Sequence, residues 1–405
     1  MKAKFRPPRD TEQRREALSH HRKMKMAKCV QAFVRGSPER FSEWFDTAAN
    51  RNVPVGPQIW ICGDCHVGNI GPLGDASQHV SVEVRDVDQT VIGNPSHDVL
   101  RLALSLAMAA RESDLPGVTT ARIVEQLISG YVAAVSRGHR DDGTAARKPE
   151  SIQFGFKRAL RRTWKDLFEE RLEDTSPTIP RGVHFWPLLQ EEKSAIETLF
   201  ATEDVRKLVA LPPECAEVAR VRVVDAAFWR KGCSSLGRLR MAVLVRIDPP
   251  PKGKEKLSLI DIKEAAKPCA PRYELAQMPR SNAERVVRGA TSITPPLGAR
   301  MLAARLLDHS VVLREVLPQD LKFDFGRLSQ DEARKIAHYL GFIVGRAHAR
   351  QMGDSEREAW CRELGRHPKS IDVPSWLWTS VVELAALHEA AYLEHCRRYA
   401  LESRG

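Results

Sequence analysis

The chain has 405 residues, 28% of them charged and 42% hydrophobic, which fits a folded globular protein of roughly two to three domains or one bilobal unit and excludes a disordered or fibrous one. No apolar run reaches membrane-spanning length, and the start, MKAKFRPPRD, is basic without an apolar signal core, so a cytoplasmic protein with no membrane partner is expected. The net charge of +11, from 63 basic and 52 acidic residues, suits an anionic ligand such as a nucleotide; no nucleic-acid fold motif accompanies the excess, so nucleic acid is not the expected partner.

Residues 1–58 read as basic helices with breaks at Ser37-Pro38 and at 50–57. They hold no strand-rich sheet and no Gly-rich loop, so they form an N-terminal helical extension and not a nucleotide-holding lobe. Ile59-Trp60-Ile61 then drives into Gly63-Asp64-Cys65-His66-Val67-Gly68-Asn69, where the glycines let the backbone turn and approach a ligand. Residues 80–84 alternate as a half-buried strand ending on Arg85-Asp86-Val87-Asp88, and an apolar helix runs from about Val99 to Ala110. A carboxylate and an amide thus share one loop, with a second carboxylate at the tip of the next strand. Mg²⁺ takes few protein oxygens besides phosphate and water, so Asn69 and Asp86 suffice as ligands, and Asp64 is left to accept a proton.

Eight cysteines are scattered, and only Cys62 and Cys65 form a Cys-x-x-Cys. With His66 adjacent, zinc has to be weighed, but no second pair completes four ligands. A redox pair would need a helix start where Gly63-Asp64 and Gly68-Asn69 read as loop, so reduced thiols are expected.

Helices follow at 119–137, 151–173 (Phe156, Leu160, Trp164, Leu167 and Phe168 on its apolar side) and 190–209, with a linker at 177–187. The basic residues Lys157, Arg158, Arg161 and Arg162 read as a solvated face. Residues 59–210 are therefore assigned to a large lobe carrying the catalytic and metal loops. From 218 the chain turns β-rich, with strands at 221–229, 240–247 and 257–265. Gly232, Ser234, Ser235 and Gly237 lie between the first two, where backbone N–H groups can cover phosphates. Pro249–Lys254 reads as an exposed turn. In the third strand Leu259, Asp261 and Lys263 share a face, so Lys263 can stand on the wall of a cleft. Its expected acid partner is Glu284, with Glu274 second. A last strand at 311–317 closes a small lobe, 211–320. Asp324-Phe325-Gly326 reads as a turn before a helix at 331–351, capped by Ser329 with Glu332. In that helix Ile336, Leu340, Ile343, Val344 and Ala347 form a buried stripe, and Gly341 and Gly345 permit close packing. Residues 321–405 are expected to complete the large lobe.

Gly63-Asp64-x-His66-x-Gly68-Asn69 resembles the catalytic loop of the protein-kinase-like superfamily, especially its aminoglycoside and choline phosphotransferase branch. There a metal-binding Asp is followed seven residues later by Gly and twelve later by Asp, as Asp86 is by Gly93 and Asp98. The resemblance implies an ATP- and Mg²⁺-dependent transferase acting on a hydroxyl acceptor, small molecule or protein. Asp64, His66 and Asn69 would be catalytic, and Asn69, Asp86 and Asp88 would hold metal. Lys263, Glu284 and the Gly-Ser loop would bind nucleotide, while Asp98 would brace the catalytic loop. Cys62 and Asp86-Val87-Asp88 depart from the usual pattern, so a nucleotide-binding module without turnover, or a nucleotidyl transferase, are the alternatives. More widely, including Lys25–Gly36, the chain resembles an uncharacterised bacterial domain-of-unknown-function family assigned to the kinase-like fold. Because the helix at 331–351 resembles the one that normally precedes the catalytic loop, the expected fold is an α+β, bilobal, circularly permuted kinase-like one. Lys263 must then face Asp64 and Asp86 across a single cleft.

Overall fold

A computed structural model describes residues 7–47, 52–75, 77, 79–138, 148–161, 178–209, 220–248, 256–320, 329–365, 369–370 and 373–402. The Asp324-Phe325-Gly326 turn, Pro249–Lys254, most of the 139–150 loop and the 162–173 half of one expected helix lie outside these residues.

The fold is mixed α+β, and among the described residues its largest sheet has six antiparallel strands. Across it run Phe185–Trp186, Arg220–Trp229, Arg240–Asp248, Lys256–Glu264, His309–Val316 and Met301–Leu306. Two of these strands escape the sequence reading. Phe185–Trp186 lies in what reads as a linker. Met301–Leu306 forms a hairpin with His309–Val316 through Leu307 and Asp308, both at positive φ (48° and 61°). Such a turn normally advertises itself with Asn-Gly, and Leu-Asp does not.

The helical body is assembled from both ends of the chain. One continuous core joins Phe41 and Trp44 near the start with Leu100 and Leu104 of Pro95–Glu112, Tyr131 of Gly117–Arg137, Leu340 of Gln330–Ala349, and Trp376 of Ser375–Glu402. Gln330–Ala349 and Gly117–Arg137 touch backbone to backbone: a Cβ on Gly341 would sit 2.1 Å from the Leu127 carbonyl oxygen, and one on Gly130 would sit 2.0 Å from that of His338. The expected close packing is met, and glycine is the residue that allows it. Ser329 caps Gln330–Ala349 by accepting from the Glu332 N–H at 3.2 Å, as expected.

Packing divides the chain differently from its composition. Trp186, Ile196, Phe200 and Val205 belong to the hydrophobic cluster of the sheet, so the sheet's share of the chain begins well before residue 211. The expected 190–209 helix is two, Gln190–Phe200 and Glu203–Val209. Ala283, Val286 and Ala290 of Asn282–Ile293 go instead to the core of the helical body. In Glu150–Arg161 Ile152 and Ala159 are buried, whereas Leu160 is exposed along with Lys157, Arg158 and Arg161. No helix among the described residues is long and apolar enough to cross a membrane.

Candidate functional site

The loop after Ile59–Ile61 is fixed from beneath by a buried polar chain. Asp98, in the first turn of Pro95–Glu112, accepts from the backbone N–H groups of Cys62 (2.7 Å) and Gly63 (2.9 Å). Gly63 holds φ +76°, where a Cβ would sit 2.3 Å from the Gln89 carbonyl oxygen. His348 Nε2 lies 3.1 Å from Asp98 Oδ2, and its Nδ1 lies 2.9 Å from the Tyr131 hydroxyl. That hydroxyl accepts from Trp360 Nε1 at 3.0 Å. Trp can only donate, so the tyrosine proton goes to His348 Nδ1, and His348 Nε2–H is left to donate to Asp98. Asp98 thus occupies the bracing position expected of it.

On the loop itself, Asp64 is buried. Its Oδ1 accepts from Arg101 Nε at 2.7 Å, and its Oδ2 lies 4.0 Å from His66 Nε2. Burial pushes the Asp64 carboxyl up to about 6, with Asp86 and Glu39 adding to the rise and Arg101 holding part of it back. Arg101 also donates to the Val34 carbonyl at 2.7 Å, which ties the loop to the N-terminal helices. His66 caps the short 3₁₀ turn Val67–Asn69, its Nδ1 accepting from the Gly68 N–H at 3.1 Å. Asn69 Nδ2 donates to the Asp64 backbone carbonyl at 3.0 Å, so its side-chain oxygen is the end that remains for a ligand. The strand Ile70–Gly74 pairs with Val80–Val84, and Arg85 N bonds the Asn69 carbonyl at 2.7 Å, bringing Asp86 alongside Asn69.

Lys263 meets these carboxylates from the sheet. Its Nζ is 3.5 Å from Asp86 Oδ1 and is also paired with Asp88. Burial pulls the ammonium down, but Asp86 and Asp88 outweigh it and hold its pKa above the ordinary value. Next to it on the sheet, Arg240 clamps Asp261, with Nε to Oδ1 at 2.9 Å. A cavity of about 470 Å³ opens between the two walls, lined by His66, Asn69, Asp86, Asp88, Lys263 and, from the Gly-Ser loop, Gly232, Ser234 and Ser235. That volume lies within the usual range for small-ligand sites. Gly232 and Gly237 both adopt positive φ, and Gly237 stands outside the lining.

Several expectations are corrected. Glu284 does not approach Lys263: it sits exposed in the first turn after the capping Ser281, and Glu274 is exposed too. The residue that turns inward there is Arg285, which donates to the backbone carbonyls of Thr90, Asp88 and Ala266. Asp64 is not among the side chains lining the cavity. The N-terminal segment does more than cover the helical body, because Lys25, Lys28 and Arg35 also line the cavity. Lys25 Nζ donates to the Gly232 carbonyl at 2.9 Å, and the Arg35 guanidinium lies 3.2 Å from where a Gly68 Cβ would be. Their sequence signal is the Lys25–Gly36 block, whose cations look like any solvated helix face.

Cys62, Cys65 and Asp98 bring ligand atoms within 4.8 Å of one another. The donor set is a poor one for metal. Asp98 is already spent on two N–H groups and His348, and Cys62 donates to the Asp86 carbonyl at 3.2 Å. Its hydrogen bond with Cys65, in which Cys65 is the acceptor, and its burial hold the pKa of the Cys62 thiol well above its ordinary value.

No curated protein and no solved structure matches the chain. A family model described as "Uncharacterized protein conserved in bacteria (DUF2252)" matches residues 14–398. That span takes in both walls of the cavity and the helices that brace them, and the chain belongs to this family.

Proposed function

We propose that the protein is a phosphotransferase using a nucleoside triphosphate and Mg²⁺, built on a circularly permuted kinase-like fold. The observation that carries the reading is Lys263 Nζ 3.5 Å from Asp86 Oδ1 at one cavity, although the two residues lie on segments far apart in the chain. Lys263 and the backbone of the Gly-Ser loop would hold phosphates. Asn69, Asp86 and Asp88 are oxygen donors on one side of the cavity and fit Mg²⁺, which would neutralise charge on phosphate oxygens. Asp64 would take the proton of the attacking acceptor hydroxyl, with His66 and Asn69 holding the loop in shape. Arg35, lying over Gly68, adds positive charge where the transferred group would pass.

A binding module without turnover is the second reading, and one observation favours it: Asp64 is buried and already paired with Arg101. Two variants separate the readings. Asp86→Ala should lose Mg²⁺-dependent binding of ATP by more than about 100-fold. Asp64→Ala should keep that binding and lower phosphate transfer or hydrolysis by about 10²–10⁴-fold, the usual contribution of a base. A parent protein that binds nucleotide but transfers no γ-phosphate, to water or to any acceptor, supports the second reading.

A further inference from the structure

Charge around the cavity is unevenly matched. Four carboxylates line it, and each meets a cation: Lys263 takes Asp86 and Asp88, Arg240 clamps Asp261, and Arg314 donates to Asp320 at 2.7 Å. Three further lining cations, Lys25, Arg35 and Arg230, pair with no carboxylate among the described residues. All three are half-buried. Lys25 spends one of its three N–H donors on the Gly232 carbonyl at 2.9 Å, and a neutral carbonyl leaves its charge uncompensated.

These cations also act on one another. Burial lowers the Lys25 pKa, and Arg230 and Arg35 lower it further, with Cys233 opposing them. His21 beside them is pushed down to about 4 by burial, then by Arg230 and Lys25. Like charges held together away from water repel, and an anion set among them relieves that cost.

Their place differs from that of Lys263. The Arg35 guanidinium lies against Gly68 of the catalytic loop, 3.2 Å from where a Cβ would be. The residue before it, Val34, shares Arg101 with Asp64, so the cluster begins beside the proposed base. It ends at Arg230, which follows the strand Arg220–Trp229 into the Gly-Ser loop and donates its backbone N–H to the His184 carbonyl at 2.8 Å.

We propose that Lys25, Arg35 and Arg230 form an anion subsite for the acceptor, a hydroxyl compound that already carries a phosphate group. The inference rests on the phosphotransferase reading given above. A phosphate monoester brings a charge of about −1.5 to −2 at neutral pH and three acceptor oxygens, which suits two guanidinium forks and one ammonium. A carboxylate would leave most of the surplus charge unmatched, and a cationic acceptor would be repelled. In the transfer the acceptor oxygen bonds to the γ-phosphorus, and the bond from that phosphorus to the β–γ bridging oxygen breaks, its electron pair leaving on the nucleoside diphosphate. The hydroxyl proton passes to Asp64, and the product carries two phosphate groups.

The test is titration calorimetry of the full chain with orthophosphate, with and without saturating Mg²⁺ and AMPPNP, a triphosphate analogue whose β–γ nitrogen bridge resists transfer. One orthophosphate should bind the nucleotide-loaded protein, at least tenfold more tightly than acetate does. Arg230→Met should weaken orthophosphate at least tenfold and leave AMPPNP within about twofold, which also reports that the variant is folded. Arg35→Met should cost orthophosphate as much, with its melting temperature as the check on folding. Orthophosphate that binds the free protein and is expelled by AMPPNP would give these cations to the nucleotide and overturn the acceptor subsite. Acetate binding as tightly overturns the phosphate assignment. Absent orthophosphate binding, or binding that both variants keep, overturns the subsite while AMPPNP binding leaves the nucleotide reading standing. Orthophosphate held by these residues in a protein that binds no AMPPNP overturns the nucleotide reading instead.

Discussion

On the helical wall of the cavity, the loop after Ile59–Ile61 rests on buried acceptors: Asp98 takes the Cys62 and Gly63 N–H groups, and Tyr131 and Trp360 fix His348 behind it. On the sheet wall, the loop carrying Gly232 to Gly237 is held by its own turns, such as Leu236 N to the Cys233 carbonyl at 3.1 Å, by the buried Leu236 side chain, and by Lys25 from the N-terminal helix. The first wall is set by a polar network sealed from water, the second by backbone turns, one buried leucine and one borrowed lysine. A loop that must hold a carboxylate and an amide in register gains from the first arrangement. A loop with fewer buried polar tethers opens at lower cost, so the second arrangement leaves the loop from Gly232 to Gly237 freer to adjust than the first.

The sharpest way to break this contrast is Asp98→Ala. It leaves two backbone N–H groups and the His348 Nε2–H without an acceptor in a buried place. The expected loss is about 3–5 kcal/mol of unfolding free energy, read by urea titration. A loss below about 1 kcal/mol would mean that apolar packing, and not the buried chain, holds the helical wall.

The place of Asp98 was legible only through the resemblance carried by its spacing from Asp86 and Gly93, which is local, and local spacing survives folding. The 80–84 strand was legible directly, by its alternation, and the Gly341–Gly345 helix by its stripe. What stayed hidden depends on direction in space. Lys263 could be placed on the cavity face of its strand, but its partners come from Asp86 and Asp88 across the cleft and not from Glu284. A first-turn glutamate beside a capping serine faces solvent as readily as the core, and the sequence carries no sign of which. Arg101 reads as one polar position in an apolar helix, yet it is wholly buried against Asp64. Lys25 and Arg35 share the fate of all surface cations, whose charge is visible and whose aim is not.

The Asp64–Arg101 pair sharpens the comparison through pH. Asp64 must be ionised to accept a proton, and its pKa is raised to about 6. The rate kcat/KM should therefore fall about tenfold per pH unit below about 6 and level off above it. Burial drives the rise and Arg101 opposes it, so Arg101→Gln should move this limb to higher pH. A limb that stays in place in the Arg101 variant would assign the titration to another group.

The smallest expected effect falls on the sheet wall. Lys25→Met keeps the apolar stem of the side chain and removes the hydrogen bond to the Gly232 carbonyl, a 2.9 Å contact between two residues of the cavity lining. One such bond contributes about 0.5–1.5 kcal/mol net, so KM for the nucleotide should rise roughly two- to tenfold. Turnover and melting temperature should stay close to those of the parent, because the bond tethers a loop and seals no core. An unchanged KM with a lowered melting temperature would give Lys25 a packing role instead, and the loop would then owe its shape to its own turns and to buried Leu236.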